Sequence, residues 1–197
     1  MRIFEYPYVI ITILVMIFLV MGLVGLYFTI KSVRTAKGSA EKSFCGIGKI
    51  ENDFEKAGAS RENRCVVYIS VSLDAMKRLY SESKAMRLYE QIKRILFTHF
   101  CLNANGEISL YGSENFVSLN ALEAEEVEAC IEKCYSEINE AMVKYDAVNV
   151  VRVTFGYHTT SSNEVNFKTA LARAKQALSM AEDKEALFFR WDNTNGK

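Results

Sequence analysis

The sequence has no net charge: 24 lysines and arginines balance 24 aspartates and glutamates over 197 residues. A broad electrostatic surface for nucleic acid is therefore not expected. Histidine is scarce, with only His99 and His158. Neither stands in a readable Ser/His/Asp or Cys/His set, and both read as structural or solvent-facing. The cysteines, Cys45, Cys65, Cys101, Cys130 and Cys134, are odd in number and form no repeated C-x-x-C. That argues against a disulfide framework or a zinc site and for reduced thiols. Cys130 and Cys134 lie four apart on one helical face. They are either a metal-ligand or redox pair or, more simply, two small buried hydrophobes.

Charge is also missing from one long stretch. Tyr8 to Ile30 contains no Asp, Glu, Lys or Arg, and as a helix that length crosses about 30 Å of hydrocarbon with some tilt. Tyr6, Tyr8 and Tyr27 suit the two interfaces. The run exceeds the roughly 7–15 residues of a cleaved signal's apolar core. Lys31, Arg34, Lys37 and Lys42 follow, opposed only by Glu41, so the positive-inside rule puts the N-terminus outside and residue 31 onward in the cytoplasm. The expected organisation is an external N-terminus over 1–7, a single transmembrane helix over 8–30 and a polar juxtamembrane connector over 31–63. A cytoplasmic domain over 64–191 and a tail over 192–197 follow. The connector is expected to hold a short helix from about Ile50 to Ala57. The first partner implied is thus the cell membrane, and the few external residues leave little to sense an external ligand.

The cytoplasmic part alternates in pattern. Cys65 to Val71 is apolar and β-branched, as a buried strand is. A helical turn over Asp74 to Leu79 and a helix from about Ser83 to Phe100 come next, then a turn cluster at Asn103 to Gly106. Glu107 to Leu110 and Phe116 to Leu119 have strand character, with Gly112 supplying the permissive backbone of the turn between them. A long helix opens at or just after Asn120, its stripe being Val127, Ile131, Cys134, Ile138, Ala141 and Tyr145. The acids from Glu123 to Glu128 suit its N-terminus. Val148 to Tyr157 reads as a strand, Phe167 to Ala181 as a helix and Ala186 to Trp191 as a last strand. The order β-α-β-β-α-β-α-β implies an α+β domain, ferredoxin-like, with helices covering one face of a mainly antiparallel sheet.

Three stretches, in order, carry a family resemblance: Ser72 to Ser81, the hairpin Leu110-Tyr111-Gly112-Ser113-Glu114-Asn115-Phe116, and Val153-Thr154-Phe155-Gly156 followed by Arg173 to Leu178. They resemble the D-x-D-x-F-K-x-x-N-D, R-Y-G-G-D-E-F and V-S-x-G with R-A-D-x-A-L motifs of the GGDEF (diguanylate cyclase) family. The resemblance spans about residues 64–191. It implies a nucleotide-cyclase fold and, in intact members, condensation of two GTP molecules to cyclic di-GMP by metal held on acids.

Carried across residue by residue, it also implies a degenerate site. Ser72 stands in place of the first metal-binding Asp, and Tyr80 in place of a guanine-reading Asn. Ser113 replaces the second loop glycine and Asn115 an acid. Glu182 replaces a phosphate-contacting Lys, and Ala186 falls where a second base would be. Asn103 and Gly106 occupy the two ends of the R-x-x-D inhibitory motif. Gly112, Ser113, Glu114, Asn115 and Phe116 form a vestigial signature loop. Lys77 and Glu114 are the candidate nucleotide-binding remnants, although Lys77 reads more simply as a solvated helix lysine. No catalytic residue and no metal site is expected, and Mg with GTP enters only if nucleotide binding survives.

Three functions follow from the resemblance. The first is an inactive interaction module that forms a homodimer or binds a protein partner, such as a cyclic di-GMP phosphodiesterase acting in trans. The second is a GTP sensor without turnover, and the third a residual cyclase. An RNA-binding module of the same topology is disfavoured, because the central strands lack the exposed aromatic pair that stacks bases.

Overall fold

The structure is a computed structural model and describes residue 16 and residues 44–59, 64–160 and 166–191. The chain divides into two units, Met1–Ser43 and Phe44–Lys197. In the first, only Met16 is described, in a helical position. The apolar stretch over 8–30 and the connector before residue 44 otherwise lie outside the described residues. Among the described residues no helix is long and apolar enough to cross a membrane.

The second unit is built on five strands: β1 (Arg64–Ser72), β2 (Glu107–Leu110), β3 (Asn115–Asn120), β4 (Arg152–Thr160) and β5 (Phe188–Arg190), in sheet order β2-β3-β1-β4-β5. The helices are α1 (Ile47–Ala59), α2 (Asp74–Leu79), α3 (Glu82–Phe97), α4 (Ala124–Lys144) and α5 (Phe167–Asp183). A π-helical turn, Thr98–Asn103, extends α3. The α+β class holds, and the sheet is mainly antiparallel as expected, with β5 alone running parallel to its neighbour β4. One correction concerns the helices, which cover both faces rather than one.

The reason for two covered faces is in β1. Its residues are buried almost without a break, and successive side chains of a strand point to opposite faces. Cys65, Val67, Ile69 and Val71 enter a core shared with α2, α3 and α4. Val66 and Tyr68 enter a second core with Ile50 and Phe54 of α1 and Phe167, Leu171, Ala174 and Leu178 of α5. Ile50 and Phe54 are fully buried, and removing such side chains from water contributes about 2 kcal/mol each. Residues 47–59, expected to close a polar connector, therefore carry a helix that is part of the domain. Buried Arg64 adds to that packing, its guanidinium 4.1 Å above the Phe54 ring while it donates to the Phe54 carbonyl.

Other boundaries differ locally. The α4 stripe Val127, Ile131, Cys134, Ile138 and Ala141 is buried as its spacing predicts. The helix starts at Ala124, where Glu123 and Glu126 form a reciprocal capping box. Val148 to Val150 are a turn rather than strand, because Asp146 adopts φ +53° and the chain closes on itself through Val150 and Val151 N–H bonds to the Ala147 carbonyl. The last strand is the short segment Phe188–Arg190 within the expected 186–191.

Candidate functional site

The hairpin between β2 and β3 is held from three sides. Its own ladder ends with Tyr111 N–H donating to the Asn115 carbonyl at 2.8 Å, and Gly112 turns the chain at φ +80°. From α3, the Tyr89 hydroxyl donates to the Ser113 carbonyl at 2.8 Å. From β1, Val71 N–H donates to the Glu114 carbonyl at 2.9 Å. Phe116 anchors the far side, fully buried with tilted ring contacts to Tyr89 at 6.0 Å and Phe44 at 5.7 Å. The hairpin loop is therefore tied into the fold at several points, and Phe116 is a core residue.

The structure brings the two expected remnants together. Lys77 Nζ donates to Glu114 Oε1 as an ion pair, with Asp74 Oδ1 at 3.9 Å from the same nitrogen. The Glu114 hydrogen bond pushes the Lys77 ammonium above its ordinary range. Lys77 is thus more than a solvated helix lysine. The carboxylate that would serve a cation is already occupied by a protein cation.

The remaining expected positions make other contacts. Ser72 ends β1, exposed, and its register partner on β4 is Arg152. Cross-strand partners share a face, so the Arg152 side chain is the cross-strand neighbour of Ser72. Arg152 donates to the Glu182 carbonyl at 3.1 Å, and Glu182 itself is exposed. Tyr80 is committed elsewhere: its hydroxyl donates to the Asp146 carbonyl at 3.0 Å, and Lys84 Nζ lies 4.1 Å above its ring. Asn115 pairs in register with Ser70 and offers an amide where the family has an acid. Among the described residues, no group of three or more His, Cys, Asp or Glu side chains gathers to hold a metal. A magnesium nucleotide asks for one or two free carboxylates beside substrate phosphates, and the Glu114 carboxylate here is paired with Lys77.

Lys175, like Arg152, was not singled out from the sequence. Lys175 of α5 donates to the Tyr111 hydroxyl at 3.1 Å and stands 4.3 Å from the Tyr111 ring centroid and 5.3 Å from that of Tyr68. The two rings meet edge-on at 5.8 Å. Nothing local signals a contact between residues 64 positions apart; the only hint is that Lys175 breaks the family's R-A-D pattern. The two histidines are both buried. His99 Nε2 lies 3.0 Å from Glu137 Oε1, and His158 Nε2 3.3 Å from Arg173 Nη1, so their reading as structural residues stands and as solvent-facing ones does not.

The fold built from these elements is that of GGDEF domains. The GGDEF domain of DgcB from Caulobacter crescentus, solved in complex with c-di-GMP, is similar with TM-score 0.63 at 14% identity, over 75% of this chain and 91% of that one. The active GGEEF domain of a diguanylate cyclase from Vibrio cholerae gives 0.62 at 12%, over 77% and 99%. The GGDEF domain of YfiN from Pseudomonas aeruginosa gives 0.57 at 16%, over 76% and 96%. At these identities the likeness is one of fold. No protein-family model and no curated protein matches the sequence.

Proposed function

We propose that this chain is a membrane-anchored, catalytically inactive GGDEF-like domain that acts as an interaction or regulatory module in bacterial cyclic di-GMP signalling. The observation that carries this reading is the Lys77–Glu114 ion pair at the hairpin, beside Ser72 and its partner Arg152. A positive side chain takes the last signature carboxylate, and a second faces the position of the missing one. A divalent ion there would meet repulsion where a working site offers negative charge. Anchoring rests on the uncharged run over 8–30 and its basic flank. The occupant of the module is a protein: a second copy of the chain, or an enzyme that degrades cyclic di-GMP.

A second reading, GTP binding without turnover, draws on the open surface at Gly112, where an added Cβ meets nothing within 4 Å. Backbone there is free to approach a phosphate. Residual cyclase activity is the least supported outcome. Calorimetric titration of GTP with magnesium into the full chain, with product measured in the same sample, separates the three. The interaction reading expects no heat and no product at millimolar nucleotide. Micromolar binding without product would replace it by the sensor, and cyclic di-GMP formation would overturn both.

A further inference from the structure

The outer edge of β4 is only partly covered. Phe155 N–H donates to the Leu187 carbonyl at 3.0 Å, on the β5 side. Its pair with Ile69 of β1 is therefore a non-hydrogen-bonded one, and such pairs alternate with bonded ones along an antiparallel ladder. The register runs unbroken to the pair of Val153 with Val71, so Val153 also turns its N–H and C=O away from β1. Val71 agrees, since its own N–H goes to the Glu114 carbonyl. Strand β5, however, pairs only with Phe155, Gly156 and Tyr157. Among the described residues, neither backbone group of Val153 has a hydrogen-bond partner. An edge left in this way is a template for another strand.

Local structure explains the gap. Glu185 takes φ +52° and the Ala186 N–H returns to the Ala181 carbonyl at 2.8 Å, closing α5. The chain thus reaches β4 only at Leu187. On the other flank, the bonds to the Ala147 carbonyl draw Val150 and Val151 back. Between the two turns lies a groove of about 690 Å³, within the roughly 300–1,000 Å³ of ligand sites. Tyr135, Val150 and Leu187 line it and pack against the first core, and exposed Val148 lines its mouth. The rim is acidic. Glu182, Asp183 and Glu185 are exposed and form no ion pair among the described residues. Lys184 stands 4.3 Å from the Phe189 ring, and Arg152 donates to the Glu182 carbonyl.

We propose that this groove docks an extended peptide segment of a protein partner, an apolar residue flanked by basic ones, which adds to β4 as a short antiparallel strand. The residue opposite Val153 accepts from its N–H and donates to its C=O. Side chains of a strand alternate between faces. That residue therefore points to the face of Val153, toward Tyr135 and Val150, and its two neighbours point to the face of Arg152 and the acids at the end of α5. Main-chain bonds supply affinity and the alternating side chains specificity. Such docking gives the interaction reading its surface. It rests on that reading only in taking the occupant to be a protein, and it uses none of the hairpin residues.

The test uses the full chain and two probes: a capped heptapeptide of alternating lysine and valine with valine at its centre, and the same peptide N-methylated at that valine. Amide hydrogen exchange is read residue by residue. In the free chain Val153 should exchange faster than Thr154, whose N–H points to β1. The first peptide, at ten times its dissociation constant, should slow Val153 about tenfold. N-methylation should weaken binding about tenfold, the worth of one hydrogen bond. Glu185→Lys, at an exposed position, should weaken it about threefold. The proposal is overturned by no binding at millimolar peptide, by binding that leaves Val153 unchanged, by equal affinity for the methylated peptide, by unchanged affinity of Glu185→Lys, or by a Val153 amide as slow as Thr154 in the free chain. Protection of Val153 by GTP with magnesium but not by peptide would overturn the interaction reading as well. Failure of the peptide with a silent GTP titration overturns the groove alone.

Discussion

Gly156 allows the sharpest test of how the scaffold is held. It lies in β4, and a Cβ there would stand 2.1 Å from the Leu178 nitrogen, 2.4 Å from the Ala174 carbonyl oxygen and 2.6 Å from the Leu178 α-carbon. All three are backbone atoms of α5, so no side chain can swing aside. Ordinary contact begins at 3.4 Å, and the helix would have to retreat by roughly 1 Å, parting Leu171, Ala174 and Leu178 from Val66 and Tyr68 in the second core. Overpacking of this kind costs about 2–4 kcal/mol. Removing glycine's excess freedom in the unfolded chain returns about 0.4–1 kcal/mol. Gly156→Ala should therefore lower stability by about 2–3 kcal/mol, read as a fall in the urea midpoint at unchanged slope and about 8 °C in melting temperature. Gly48→Ala is the control, since its added Cβ meets nothing within 4 Å in helix α1. It should be neutral or stabilising by up to about 1 kcal/mol. If Gly156→Ala melts with or above the wild type, the close approach of α5 to β4 is wrong.

Other perturbations probe the hairpin. Glu114→Gln removes the pair with Lys77; both groups are partly exposed, so urea melts should shift by less than about 1 kcal/mol, and the heat of GTP–magnesium titration should stay at the buffer level. Ser72→Asp returns a carboxylate opposite Arg152, and magnesium titration should still show no binding, because the new acid gains a guanidinium partner and Glu114 keeps its lysine; micromolar metal affinity would show that one residue alone separates this site from a working one. Tyr89 is pushed up to about 12 by burial, above the roughly 10 of an unfolded tyrosine. The folded state thus holds that proton longer, and the stability it carries is full below about pH 10 and lost as the pH rises toward 12. Tyr89→Phe should cost about 1 kcal/mol at pH 7 through the lost bond to the Ser113 carbonyl and flatten the alkaline arm of the pH–stability curve; an unchanged arm would remove Tyr89 as its source.

What the sequence disclosed, it disclosed through periodicity. The stripe Val127 to Ala141 and the run Cys65 to Val71 located α4 and β1, since burial at fixed spacing is written directly into residue type. Helix α1 was half hidden because polar residues surround its two buried anchors, Ile50 and Phe54. The true start of β4 was masked by β-branched Val148 and Val150, whose strand preference yields to the turn that Asp146 opens. At the site, the substitutions Ser72, Tyr80 and Asn115 were plain. Where the surviving side chains point was not, because the Lys77–Glu114 and Lys175–Tyr111 contacts join distant parts of the chain.

On the proposed reading, that division also explains how the site could decay while its fold stays. The contacts that hold the hairpin are backbone bonds from Val71 to Glu114 and from Tyr111 to Asn115, the buried ring of Phe116, and the glycine over which α5 packs. None of these needs a carboxylate at Ser72 or Asn115 or an amide at Tyr80. Acids clustered to bind metal repel one another when no metal is present, so replacing them with a hydroxyl and an amide and pairing the last one with Lys77 relieves strain in the empty domain. On the proposed reading, the changes that would end nucleotide chemistry also stabilise the scaffold. A domain kept for its surface rather than its reaction is expected to accumulate them.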